Sequence, residues 1–365
     1  MLFNSELFLF IFLPSIFLLF YTLKKGGSNF ILLLASMLFY AWGEPRFFPV
    51  ILLSVLIDYW LGAKIAANQY PRLFITIGVC SNAFLLIYFK YMDFFISATN
   101  SFLPSHEIPL LNIALPIGVS FIVFEKITYL VDIYRKHCLP ATSIASYLLY
   151  VFLFPKLLAG PIIKYHDIAH QLNGPTHKMK DVGIGFKRFL LGLVKKVLLA
   201  DTLGEVADAV FDTPANELIF LQAWFGVSCY TLQIYMDFSA YSDMAIGLCR
   251  MFGFRLLENF NMPYISKNFT EFWRRWHISL SSWIKEYLYL PMGGNKKGGL
   301  RTYFNLWVCF LLSGLWHGAS WIFVLWGAYN GIFLIIDKLF WVKASRKLPG
   351  ILNRSVPGEM RQKLS

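Results

Sequence analysis

Charge is scarce in this chain: Asp, Glu, Lys and Arg make up 15% of 365 residues, against about 25% in soluble domains. With 57% of residues hydrophobic, that scarcity excludes an ordinary water-facing surface and leaves an integral membrane protein. Cysteine is little used too. Cys80, Cys138, Cys229, Cys249 and Cys309 are odd in number, scattered and mostly set in apolar sequence, so there is neither a disulfide framework nor a C-x-x-C centre. They read as small hydrophobes. Internal repeats and long low-complexity linkers are lacking, which favours one polytopic unit over two or three soluble domains. Acidic residues number 21 against 33 basic ones, a net charge of +12. The basic residues lie in short segments between apolar spans, as the positive-inside rule requires. No basic stripe or soluble binding module points to nucleic acid. Leu7 to Leu23 follows a head without a basic n-region and precedes no small-residue cleavage site, so it reads as a retained span, not a secretory signal.

What the chain does have is recurrent apolar sequence. Spans are expected at 7–23, 29–43, 47–66, 73–91, 111–134, 216–236 and 321–340, each near the 20 or so residues a crossing helix needs. Lys24-Lys25, Lys64 with Arg72, and Arg135-Lys136 mark cytoplasmic loops, and Asp93 to Glu107 falls outside. Residues 144–163 are hydrophobic enough to cross, yet the following Lys164–Arg188 stretch holds five Lys/Arg against two acids and should also be cytoplasmic. A segment that starts and ends on one side is re-entrant. Pro155, Lys156 and Gly160-Pro161 break it, and irregular backbone at that depth must be buried in protein or line a cavity. Residues 184–201, with Lys195-Lys196 amid Leu and Val, read as an interfacial amphipathic helix. Arg255 to Arg301 is again basic, so the hairpin that follows begins and ends on the cytoplasmic side. Its first limb, Thr302 to Leu315, would reach only ~21 Å at 1.5 Å per residue.

That hairpin carries His317, in Gly314-Leu315-Trp316-His317-Gly318-Ala319. An ionisable side chain at membrane depth is costly and usually marks a site. A neutral imidazole there can accept a hydroxyl proton at pH 7; the competing reading is a core histidine bonded to a carbonyl. His277 follows Phe272-Trp273-Arg274-Arg275-Trp276, where interface anchoring competes with a role in orienting substrate. Tyr230, Gln233, Asp237, Ser239, Tyr241 and Asp243 cluster at the end of a span; they form either a satisfied polar network or a cavity wall that contacts substrate. Gly293 to Gly299 is basic and glycine-rich but lacks Walker spacing, and is read as a turn. His166 and His170 stand four apart, but no H-E-x-x-H glutamate follows His166 and no third ligand is evident, so no metal is expected. Glu125 and Lys126, inside a span, are expected to pair with each other or with another helix.

Several of these segments together resemble the membrane-bound O-acyltransferase family, in its bacterial branch of alginate O-acetylation membrane proteins. They are Phe272 to Leu280 (FWRRWHISL), Tyr287 to Gly294 (YLYLPMGG) and Gly314 to Ala319, with Asp237 to Gly247, Lys195 to Leu203, Phe154 to Ile163, Leu115 to Tyr134 and the opening Met1 to Pro14. The resemblance implies an all-α polytopic membrane protein, a ring of tilted transmembrane helices around re-entrant segments with a central funnel. It implies that His317 is catalytic and that His277 is the branch's second histidine; Trp316 and the Tyr230–Asp243 residues are expected to meet substrate beside them. The implied donor is a cytoplasmic acyl thioester such as acetyl-CoA, with no tightly bound cofactor. The implied acceptor is an extracytoplasmic polysaccharide, reached with a hydrolase-like partner from a bacterial inner membrane. Peptidoglycan O-acetylation, D-alanyl transfer to teichoic acid and, in another class, a lipid or polysaccharide transporter are the alternatives. Residues 1–340 would form the acyltransferase domain and 341–365 a basic cytoplasmic tail. Members of the branch usually continue through further spans, so a truncated C-terminus is the other reading of that tail.

Overall fold

Apolar runs punctuated by Gly, Pro and short polar turns give helices throughout the computed structural model, which describes residues 3–22, 25–103, 108–157, 160–172 and 178–347. Every regular element among these residues is helical. The chain divides into two compact units, 1–259 and 260–365. Of the expected cytoplasmic markers, Lys24 lies outside the described residues, as do 104–107 of the external loop and 348–365 of the tail.

The first unit opens with α1 (Leu13–Thr22), α2 (Lys25–Gly43) and α3 (Phe48–Ala66), then α4 (Pro71–Leu86), which passes through a π turn into α5 (Met92–Phe102). By length and composition, 48–66 and 71–102 can cross a membrane, while 8–22 and 27–43 are shorter apolar helices. Large apolar side chains face outward along them, with Phe10 75% and Phe84 64% exposed. Apolar patches of that extent mark contact with lipid or partner rather than water. The expected boundary at residue 91 is overrun. The helix continues to Phe102, and Asp93 on it accepts hydrogen bonds from the backbone N–H groups of Leu111 (2.8 Å) and Ile113 (3.1 Å). Those bonds hold the extended stretch before Gly118, so the expected span 111–134 is helical only over α6 (Val119–Tyr134).

α6 is largely buried, and its charges find partners on other elements. Glu125 pairs with Lys156. Lys126 pairs with Asp58 of α3 at 3.3 Å and donates to Ser54 at 2.9 Å, and Asn82 of α4 donates to the same carboxylate at 2.7 Å. Adjacent helical residues point about 100° apart and cannot face each other, so Glu125 and Lys126 look to opposite sides. Lys156 belongs to the expected broken segment. It forms α7 (Ile144–Phe152), a bend at Leu153 and the single turn α8 (Phe154–Leu157), buried throughout from Leu149 to Leu157. Neither piece is long enough to cross a bilayer. α9 (Tyr165–Leu172) follows.

α10 (Met179–Val194), a π turn over Lys195–Ala200 and α11 (Asp201–Phe211) make one long helical run beside α12 (Phe220–Met251). Small residues bring them together: a Cβ at Gly185 would lie 2.5 Å from the Gly247 carbonyl oxygen, and one at Gly247 2.6 Å from that of Gly185. Close backbone approach of this kind is how helices associate where water supplies no driving force. α12 is unbroken, so the expected span 216–236 is part of a longer, more polar helix. In the second unit, α13 (Phe269–Arg275) and α14 (Ile278–Ile284) precede α15 (Gly299–His317) and α16 (Trp321–Lys347), of which 321–340 can cross a membrane.

Removing one partner of a buried ion pair leaves an uncompensated charge and costs about 3–5 kcal/mol. Lys156→Met is therefore expected to lower the thermal unfolding midpoint in detergent sharply, and adding Glu125→Gln to recover most of the loss. Equal midpoints for wild type and Lys156→Met would show that the pair does not hold the broken segment.

Candidate active site at the α15–α16 hairpin

α15 is longer than the 14-residue limb expected from the sequence. Gly298 turns the chain at φ +82° and its carbonyl accepts from the Thr302 hydroxyl at 2.8 Å, so Gly299, Leu300 and Arg301 join the first turn. The resulting 19-residue helix reaches about 28 Å, which places His317 at its far end. Asn305 donates to the carbonyls of Met292 and Gly294, and Lys338 donates to Asn295 at 3.0 Å. These bonds order the glycine-rich Gly293–Gly299 segment as a turn.

The helix stops where Gly318 becomes extended (φ −163°). The Ser320 carbonyl then accepts the first hydrogen bonds of α16, from Phe323 and Val324. Glycine makes the hairpin tight. A Cβ at Gly314 would overlap the Phe323 carbonyl oxygen, and one at Gly327 would stand 2.5 Å from that of Phe310. His317 is exposed at this turn, with the Trp316 ring 4.8 Å and the Trp326 ring 5.1 Å away, both edge-on. Trp326 in turn meets Trp273 of α13 at 5.8 Å, and Asp337 of α16 accepts from the backbone N–H (3.0 Å) and hydroxyl of Thr270. α13 is thus docked on the hairpin.

His277 sits where α13 gives way to α14. Its φ of +44° is a left-handed conformation uncommon for a residue with a Cβ, of the kind that clusters at functional sites. The side chain is buried, 6.1 Å ring to ring from Trp316 and 3.4 Å from the Ser279 hydroxyl. Burial, with a smaller contribution from the neighbouring His317, pushes its pKa down to about 3. His277 is therefore a neutral hydrogen-bonding group at any physiological pH. The flanking Arg275 is tied to Glu271 (2.8 Å) and to the Asn261 carbonyl, while Arg274 is exposed.

The structure brings His277, Trp316 and His317 together, adds Trp273, which the sequence offers only as an interface anchor, and adds Trp326 and Ser279, which sequence reasoning missed. The density of tryptophan around both histidines was the one signal for Trp326. Tyr230, Gln233, Asp237, Ser239, Tyr241 and Asp243 lie in the first unit, along α12 rather than at its end. Asp237 pairs with Lys196 at 2.7 Å. Asp243 pairs with Lys195 at 2.6 Å and Arg188 at 2.8 Å. Ser239 donates to the Met236 carbonyl, Tyr241 stacks on Phe3 at 4.8 Å, and Tyr230 meets Phe211 edge-on at 5.6 Å. Gln233 packs over Gly204. His166 and His170 are not brought together at a metal: His170 is exposed, and His166 turns to Asp132 instead.

An exposed imidazole at the turn of an apolar hairpin, with a second, buried and neutral one beside it, is an arrangement that can take up a proton and orient a reactant. The model of MBOAT, the membrane-bound O-acyltransferase family, matches residues 135–347. Among similar proteins, the "Probable alginate O-acetylase AlgI" of Azotobacter vinelandii is 42% identical over 354 residues, covering 95% of this chain and 70% of its own. The "Peptidoglycan O-acetyltransferase" of Helicobacter pylori is 38% identical, covering 93% and 71%. The "Teichoic acid D-alanyltransferase" of Bacillus subtilis is 25% identical, covering 81% and 75%. The chain belongs to the membrane-bound O-acyltransferase family and is an O-acyltransferase.

The depressed His277 pKa sets a pH dependence. Unfolded histidine titrates near 6.5, so above that pH neither state binds a proton here. Below it the unfolded chain alone is protonated, and stability should fall by about 1.4 kcal/mol per pH unit as pH drops toward 3. Unfolding midpoints measured from pH 7.5 to 4.5 are expected to fall more steeply for wild type than for His277→Gln. Parallel curves would contradict a buried neutral imidazole.

Proposed function

We propose that this enzyme takes an acetyl group from a cytoplasmic thioester, acetyl-CoA, and delivers it for O-acetylation of an extracytoplasmic polysaccharide such as alginate, with His317 as the general base. The observation that carries the reading is the exposed imidazole of His317 between two indole rings, beside a second histidine held neutral by burial. The acceptor hydroxyl gives its proton to His317 as its oxygen bonds to the acyl carbon. The C–S bond then breaks, and the thiolate leaving group takes the proton back. His277 orients the reactants and Trp316 bounds the acyl group. The Tyr230–Asp243 residues are proposed as a polar wall along the substrate, its two carboxylates neutralised by Lys195, Lys196 and Arg188.

The same proposal takes the fold as a ring of tilted helices around re-entrant segments, of which the broken Ile144–Leu157 stretch is one, in a bacterial inner membrane. A hydrolase-like extracytoplasmic partner would complete transfer to the polymer. Support comes from the similarity to the alginate O-acetylases across nearly the whole chain. A peptidoglycan acceptor is the second reading, favoured by the 38% identity to the Helicobacter pylori enzyme. Mass analysis of released polymer and muropeptides separates the two.

His317→Ala is expected to abolish acetylation of the polymer while leaving the amount of protein in the membrane unchanged. Unaltered acetate content in a host carrying that variant alone would refute the assignment.

A further inference from the structure

The end of α6 and the start of α9 meet in a group that the proposed acyl transfer does not use. Asp132 lies on the last turn of α6 and is wholly buried. Lys136, at φ +59°, reverses the chain there, and the His137 N–H donates to the Asp132 carbonyl at 2.9 Å. That turn lays the His137 ring back over the helix end. From α9, His166 donates its backbone N–H to Asp132 Oδ2 at 3.2 Å and places its Nδ1 2.8 Å from the same oxygen. His137 Nδ1 stands 4.0 Å from Asp132 Oδ1, and the two imidazole rings are perpendicular at 5.9 Å. One ligand atom from each of Asp132, His137 and His166 falls within 4.8 Å of the others.

We propose that Asp132, His137 and His166 form a zinc site, in which His137 Nδ1, His166 Nδ1 and an Asp132 carboxylate oxygen hold one divalent ion that ties α6 to α9. Nitrogen and oxygen ligands at about 2.0–2.1 Å around tetrahedral zinc sit about 3.3 Å from one another, inside the range spanned by the three atoms here. The second observation is the far side of His166: its Nε2 lies 3.3 Å from Asp167 Oδ1, and Lys164 lies 3.7 Å from Oδ2 of the same carboxylate. A carboxylate beside the non-ligating nitrogen is the usual support for a zinc-bound histidine. Asp132 is buried while the ring of His137 is about half exposed, so the site opens outward and leaves room for water as the fourth ligand. The ligands come from 132, 137 and 166, and the metal would staple the chain on both sides of the buried α7–α8 segment. The proposal is independent of the acyl-transfer reading.

The test uses the whole untagged chain, purified in detergent, stripped with chelator and dialysed against zinc. Elemental analysis should find one zinc per chain, cobalt should give the visible absorption of a tetrahedral site, and the thermal midpoint should rise with zinc. His137→Ala, which alters an exposed ring and should still fold, should lose the bound metal and the zinc-dependent rise. Asp167→Asn should bind 10–100-fold more weakly. His170→Ala, one turn further along α9, should match wild type. Wild-type protein without stoichiometric zinc, His137→Ala that keeps it, or equal losses in His137→Ala and His170→Ala would each overturn the site.

Discussion

In hydrocarbon a charge or a broken backbone must be satisfied by the protein itself, and in the first unit that condition is met by Lys156 on Glu125 and Lys126 on Asp58. Much of the surrounding architecture depends on these two pairs. α6 carries a carboxylate and an ammonium on adjacent residues, so it must have polar partners on two sides. α3 and α4 supply one through Asp58, Ser54 and Asn82. The α7–α8 segment supplies the other, which is why a lysine stands in the middle of its break. With α6 so held on both flanks, its last turn and the chain re-entering at Tyr165 are brought side by side, and Asp132 faces His166.

The second unit solves a different problem with different means. Its hairpin must place an imidazole at a turn and keep it accessible. Glycines at 314 and 327 let α15 and α16 approach to backbone contact, so the turn at Gly318 to Ser320 is short and His317 stays at the rim. The indole rings of Trp316 and Trp326 then frame it edge-on. His277 is kept by the opposite strategy, buried and neutral at a strained left-handed junction. One imidazole is exposed at the turn and the other is buried and neutral, which is the division of labour the proposed acyl transfer uses.

The structure extends some expectations and redirects others. α3, the α4–α5 helix and α16 fall where hydropathy places spans, because twenty consecutive apolar residues have few alternatives to a helix. The ends shift where a polar side chain makes a bond the apolar pattern does not encode: Asp93 holds residues 111–113 extended, and Thr302 completes an early turn of α15. The Tyr230–Asp243 stretch reads as a helix end because it is polar. It is helical throughout because Lys195, Lys196 and Arg188, some fifty residues earlier, neutralise its acids. Sequence sets His166 beside His170 and gives no sign of Asp132 for the same reason. A histidine four residues away is visible in the chain, whereas an aspartate 34 residues upstream is a neighbour only after folding.

Composition and hydropathy alone decide that this is a helical membrane protein, and its motifs single out His317 and His277, because helix formation and lipid solubility are local properties of apolar runs and charge placement follows the membrane. Tertiary structure alone decides which charge meets which, how far α15 extends, and that Asp132, His137 and His166 share one corner. Those are pairings between distant residues, set by geometry and by the cost of leaving any buried polar group alone, and no local pattern encodes them.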